Sequence, residues 1–205
     1  MRIIGITGGT GAGKSSAARR FETHAIPIVD ADKIGHDLIA PGGDAVSDVI
    51  TAFGEEILEY GKIHRGRLGA HVFANADALA TLNAIMQPRI AQKIGQRCAD
   101  HAAAGHRVCL IDAALLADNG TLEPWLEALI LVSSSEEQRV GRLTSHREMD
   151  PEAAWERVRA QVNPESKRSL ASWVIENNGD ITELHQQVDA IAHELTAYGG
   201  STSHD

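Results

Sequence analysis

Along the chain, short unbroken apolar runs alternate with longer stretches in which apolar residues return every three or four positions. The short runs are RIIGIT (2–7), IPIVD (26–30), VCLID (108–112), ALILVS (128–133) and WVIEN (173–177), all rich in β-branched residues. A strand that is apolar at successive positions, not at alternate ones, is buried on both faces, and such strands belong to parallel sheets covered by helices. KSSAARRFETHA (14–25) reads as the first of those helices. The pattern predicts an α/β fold, a three-layer sandwich with a parallel five-stranded sheet at its centre and right-handed crossovers.

The alternation fails between the second and third strands. Residues 42–53, 67–75, 78–86 and 88–104 read as separate helices, with Pro88 in the first turn of the last, where a missing N–H costs little. A helical subdomain inserted in the sheet is the simplest account. Another helical stretch, 135–171, separates the fourth and fifth strands. The predicted division is a core of 1–30, 106–134 and 172–198, an insert of 31–105, the helical segment 135–171 and a frayed tail, 199–205.

At 205 residues with 43% hydrophobic and 23% charged positions, the chain can bury a sizeable core. No apolar run approaches the roughly 20 residues needed to cross a bilayer, and MRIIGITGG carries no secretory pattern. The expectation is a cytoplasmic protein, with Cys98 and Cys109 as buried free thiols. A net charge of −9 argues against nucleic-acid or anionic-membrane partners. Composition sets no oligomeric state, and a monomer or weak homo-oligomer is expected. The histidines show no zinc-ligand spacing. Trp125, Trp155 and Trp173 read as core anchors.

GITGGTGAGKSS (5–16) changes the picture. Gly8, Gly13, Lys14 and Ser15 satisfy G-x-x-x-x-G-K-[ST] after an apolar strand and at the start of a helix. That setting suits a P-loop, in which loop amides and the helix N-terminus enclose phosphate oxygens. Lys14 would then bridge the β- and γ-phosphates, and the Ser15 hydroxyl would ligate Mg²⁺. The plain alternative is a glycine-rich turn with an exposed lysine.

Asp30 and Asp32 stand at the carboxyl end of the second strand, where ligands of open parallel sheets bind. Either could serve a phosphoryl acceptor as general base, or merely cap the helix that follows. Asp112 ends the third strand, in the position of an acid that orients Mg²⁺ through water; capping or turn formation is its other reading. Arg139, Arg142 and Arg147 fall on one predicted helix and its end. Arg142 and Arg147 could close over a transferred phosphoryl group, whereas Arg139 reads as part of a solvated face. ENNGD (176–180) has Asn178 where a guanine motif needs Lys, which argues against a GTPase.

These residues resemble the dephospho-CoA kinase family. The likeness covers residues 3 to about 195 and rests on TGGTGAGKS, on DAD at 30–32, on the Phe-Gly at 53–54 and on LIDAALLAD, EEQRVGR, Gln161, Lys167 and VIENNG. It implies a P-loop kinase that uses ATP and Mg²⁺ to phosphorylate the ribose 3′-hydroxyl of dephospho-CoA, the last step of coenzyme A synthesis. The insert would be the coenzyme-A-binding domain and 135–171 a mobile lid.

Carried over by position, Gly11, Ala12, Gly13, Lys14, Ser15 and Ser16 would bind the ATP phosphates. Asp32 would be the catalytic base, Arg142 would meet phosphates or adenine, and Arg65 would lie in the coenzyme-A domain. Some positions depart from the family pattern. Gln87 replaces His, and Ala114 and Asp118 replace Pro and Glu. Ser172 replaces Asp, Tyr60 and His64 replace acids, and His146 or Arg147 stands near the second lid arginine. The residues also leave room for a kinase of this architecture with another acceptor, or for a non-catalytic protein that binds coenzyme A or ATP.

Overall fold

The computed structural model describes residues 1–114, 116–118 and 120–197, with the side chains of residues 146 and 147 excepted. The expected frayed tail, 199–205, lies outside the described residues. Two compact units emerge, one of Met1–Val29 with the chain from Asp100 onward, the other of Asp30–Ala99.

The first unit is built on a five-stranded parallel sheet of order β2-β5-β1-β6-β7. Its strands are β1 (Arg2–Gly8), β2 (Ile28–Asp30), β5 (Val108–Asp112), β6 (Ala128–Ser133) and β7 (Trp173–Glu176). β1 lies centrally, with Ile4 opposite Leu110 of β5 and Ala128 of β6. Every residue of β5 and β6 is buried, the environment their unbroken apolar runs predicted. Alternate residues share a face. Ile4, Ile6, Leu110, Ile130, Val132 and Ile175 pack with Phe21 of helix α1 (Lys14–Glu22) and with Leu184, Val188 and Leu195 of helix α8 (Ile181–Ala197). On the opposite face of β1, Gly5 is crowded by Leu116, Leu126 and Leu129, whose methyl carbons lie 2.9–3.0 Å from where a Cβ would stand.

Between β6 and β7, helices α6 (Glu136–Arg147) and α7 (Pro151–Arg159) close a small core of their own from Val140, Leu143, Ala154 and Val158. A 3-10 turn, Pro164–Lys167, follows. Trp155 packs on this cluster beneath the Arg159 guanidinium, 4.7 Å from its ring. Trp173 packs against the main core and donates through Nε1 to Glu194 at 2.9 Å. Trp125 departs from the expectation of a core anchor. It is 46% exposed, in the turn before β6.

The second unit holds α2 (Ala31–Ile39), α3 (Val46–Phe53), α4 (Arg65–Phe73) and most of α5 (Ala76–Ala103), packed around Leu38, Val49, Phe53, Leu68, Val72 and Met86. Two expectations fail here. Residues 78–86 and 88–104 form one helix, with Pro88 inside it and not at a start. Apolar residues on both sides of the proline, Leu79, Leu82, Ile85 and Ile90, face the same core, so packing holds the two halves in register. Arg89 donates from Nη1 to the Ile85 carbonyl at 2.6 Å in the same turn. The second surprise is an antiparallel hairpin, β3 (Leu58–Glu59) with β4 (Lys62–Ile63), where only helices were expected. Tyr60 and Gly61 turn it, both at positive φ. Cys98 and Cys109 are buried and take part in no disulfide.

Candidate active site

The loop between β1 and α1 has two sides. On one side its carbonyls are tied down. The Thr10 carbonyl accepts from Arg139 Nε at 2.9 Å, the Gly11 carbonyl from Arg142 Nη1 at 3.3 Å, and the Ala12 carbonyl from Asn177 Nδ2 at 2.7 Å. On the other side, the amides of Gly11, Gly13 and Ser15 have no acceptor among the described residues. Helix α1 starts from Gly13, at φ 98°, with no side-chain cap and no acid in its first turn. Uncapped first-turn amides and the positive end of the helix dipole make this a place for an anion. A Cβ at Gly13 would overlap the Asn177 amide, so this glycine answers both to φ and to a neighbour.

Lys14, the first residue of α1, is ion-paired through Nζ with Asp112 at the end of β5. Both side chains are largely buried, at 16% and 12% exposure. β1 and β5 are neighbours in register, which brings residues far apart in sequence to one sheet edge. Ser15 is exposed and Ser16 half-buried. The Ser15 hydroxyl and the Asp112 carboxylate offer hard oxygen donors, the kind that suits Mg²⁺. Elsewhere among the described residues, no cluster of His, Cys, Asp and Glu could hold a metal ion.

Arg142 reaches further than the loop. Its Nη2 donates to the Asn177 carbonyl at 2.7 Å, and its Nη1 to Ser134 Oγ at 3.0 Å. With Gly13, Ser16, Asn177 and Asp180 it lines a cavity of about 240 Å³ beside the start of α1. Burial holds the Arg142 guanidinium below the ordinary arginine range. Arg147 and His146 lie on α6, but their side chains fall outside the described ones.

Arg139 corrects the sequence reading. It is 3% exposed and points into the loop, not into solvent. Periodicity placed it on a polar helix face; nothing local reveals that the polar face of α6 packs on a backbone rich in carbonyls. Three other residues at the loop carried no assigned role. Asn177 is buried behind Ala12, Gln161 accepts the Thr10 N–H, and Lys167, 4% exposed, pairs with Asp118 and donates to the Ala114 carbonyl at 3.0 Å. Asn177, within VIENNG, and Gln161 and Lys167 were visible only as family markers. Asp118, a departure from that pattern, still supplies the carboxylate that Lys167 meets. Ser172, another departure, is held through its amide, which donates to the Leu129 carbonyl at 2.8 Å.

In the second unit, Asp30 caps α2, its Oδ1 accepting the Lys33 N–H at 2.7 Å. Asp32, in the first turn of α2, is exposed and engaged by no hydrogen bond or ion pair among the described residues. One turn on, His36 accepts through Nε2 from Arg65 Nη2 at 2.5 Å. Arg65 is thus tied to α2 one turn beyond Asp32. Gln87 is an exposed residue of α5.

The sequence model of the dephospho-CoA kinase family matches residues 2–183. The chain is 36% identical over 196 residues to the dephospho-CoA kinase of Corynebacterium efficiens, covering 95% of this chain and 98% of that one. It is 37% identical over 196 residues to the Arabidopsis thaliana protein of the same name, covering 95% and 84%. Among solved structures, TT1252 from Thermus thermophilus superposes with a TM-score of 0.81 at 27% identity, over 95% of this chain and 97% of that one. A dephospho-CoA kinase from Campylobacter jejuni shares the fold, with a TM-score of 0.69 at 22% identity over 97% and 99%.

Proposed function

The chain belongs to the dephospho-CoA kinase family, and on that premise we propose that it transfers the terminal phosphoryl group of ATP to the ribose 3′-hydroxyl of dephospho-CoA, giving coenzyme A and ADP. The family match over residues 2–183 carries the reading. The loop with its carbonyls tied behind and the amides of Gly11, Gly13 and Ser15 open in front supports it.

In this reading the amides at 11–16 take the phosphates of ATP, and Lys14 exchanges Asp112 for the β- and γ-phosphate oxygens. The triphosphate is fixed without reorganisation of the loop, because its shape is already set from behind. Adenine takes the cavity beside Gly13, Arg142 and Asn177. Ser15 and Asp112 are the residues that would hold Mg²⁺, which supplies charge neutralisation when bound with the nucleotide. Residues 31–105 bind the acceptor, and Asp32 takes the proton from its 3′-hydroxyl. An uncapped, unpaired carboxylate is free to do so, whereas Asp30 is committed to the helix. Arg65 meets an anionic part of dephospho-CoA. The stretch 135–171 is the lid, which excludes water as a competing acceptor.

The test is a coupled assay of ADP release with purified protein, ATP and dephospho-CoA. Release that requires dephospho-CoA, with coenzyme A as the product, supports the reading. ADP release on other alcohols but not on dephospho-CoA would overturn the substrate. Binding of both ligands without turnover would overturn the activity.

A further inference from the structure

The Thr10 peptide is held at both ends by one pair of side chains. Arg139 Nε donates to the Thr10 carbonyl at 2.9 Å, and the Thr10 N–H donates to Gln161 Oε1 at 2.7 Å. The ring closes through Arg139 Nη2, which donates to the same Gln161 oxygen at 2.7 Å. The two side chains come from α6 and from the turn after α7. They meet the loop at the Thr10 peptide, whose amide is satisfied by a side chain and so does not face a ligand.

Two glycines are shaped to this pair. A Cβ at Gly9 would stand 2.6 Å from the Arg139 guanidinium carbon, and one at Gly11 would stand 2.6 Å from the Arg139 carbonyl oxygen. Half of the glycine richness of the loop thus admits an arginine behind it. Gly11 answers to both demands, its amide open in front and the Arg139 carbonyl behind it.

Arg139 is also an unusual cation. It is buried and its hydrogen bonds go to neutral oxygens, while the carboxylate of Glu136, one turn back on α6, acts on it through its field without a close ion pair. A buried guanidinium that makes no close ion pair costs stability, and further negative charge nearby offsets that cost. The loop it braces is built for a polyanion.

We propose that Arg139 and Gln161 form a single positioning unit for the nucleotide. They lock the Thr10 peptide, so that the amides of Gly11, Gly13 and Ser15 stay aimed at the triphosphate, and bound nucleotide adds negative charge beside the buried Arg139. This rests on the reading of the loop as an ATP site. It places part of the phosphate-binding energy in residues that touch no phosphate.

The experiment is calorimetric titration of the full chain with ATP and Mg²⁺, alongside the KM for dephospho-CoA. The variants are Arg139→Met, Gln161→Leu, the two combined, and Gln161→Glu, which keeps an acceptor oxygen in place. Each single loss is expected to weaken ATP binding by about 10-fold, the usual effect of removing a hydrogen bond to a charged group. The double variant is expected to be no weaker than the weaker single one, because residues acting as a unit are not additive. The KM for dephospho-CoA is expected to stay within about twofold, and Gln161→Glu to bind ATP within about threefold of wild type.

ATP affinity of the single variants within about twofold of wild type would overturn the proposal, as would additive losses in the double variant. Should Arg139→Met fail to fold, the two Gln161 variants decide the matter alone. A wild-type chain that binds no ATP would overturn the loop reading together with this inference; a wild type that binds and variants that match it would overturn the inference only.

Discussion

Asp30 and Asp32 compete for one role, and only one can win it. The cap of α2 goes to Asp30, whose carboxylate sits on the Lys33 amide at 2.7 Å. Replacing Asp30 by Ala is therefore expected to cost about 1 kcal/mol of stability, the usual value of an N-cap, read as a shift in urea midpoint. Asp32 has no such bond to lose. Asp32→Asn is expected to keep the stability and ATP affinity of the wild type while turnover falls by about 10²–10⁴, the range for loss of a general base. Near-normal turnover would hand the proton to another group. Lys14→Ala should behave differently, weakening ATP binding as well as turnover, and it leaves Asp112 without its cation.

Arg139 could not be foreseen at this scale. A helix with Arg at three nearby positions gives the same periodicity whether an arginine faces water or a ring of carbonyls. The contrast lies in the loop opposite, 129 residues away from Arg139 in sequence.

At the scale of elements, the parallel strands were the most legible part. Two neighbours and two covered faces force apolar residues at every position, and VCLID and ALILVS say so without help from context. The hairpin at Leu58–Ile63 was hidden because its strands are two residues each, too short to display a period of two. The ligand loop was legible because its chemistry is local in sequence. Asn177 and Gln161, which hold it, come from distant segments, and no local signal marks them.

Helix α5 was divided wrongly because Pro88 is a strong local signal overruled by packing. Its ring removes the N–H that would bond the Ala84 carbonyl, and a helix interior pays about 3 kcal/mol for that. Relief of rigidity in the unfolded chain gives back up to about 1 kcal/mol. Pro88→Ala is therefore expected to stabilise the protein by about 2–3 kcal/mol and to raise its melting temperature by roughly 4–12 °C. A lowered melting temperature would mean that the helix is bent or interrupted at Pro88, and that the apolar contacts on its two sides depend on the bend.

At the scale of the whole molecule, segments far apart in sequence meet within one unit, and Asp189 of α8 joins that helix to α1. Its carboxylate accepts from Arg20 Nε and Nη2, each at 2.7 Å, and from His24 Nε2 at 2.7 Å. The His24 ring in turn meets His193 edge to face, with centroids 5.4 Å apart. The hydrogen bond from Arg20, followed by that from His24, holds the Asp189 carboxyl well below its ordinary value of 3.8. A carboxylate depressed on folding adds stability above its unfolded pKa, and that stability drains away as the pH falls through the folded value.

The bridge is partly exposed, at 33% for Arg20 and 28% for Asp189, so solvent screens it. Loss of such a bidentate pair is expected to lower the melting temperature by roughly 2–4 °C in a chain of this length. Asp189→Asn is expected to melt that much lower at neutral pH. The gap should narrow steadily below about pH 4, where the unfolded chain takes up a proton at Asp189 that the folded, hydrogen-bonded carboxylate still refuses. Thermal melts of both proteins from neutral to acid pH measure it directly. A variant that tracks wild type at every pH would mean that α1 and α8 are joined by their apolar contact alone.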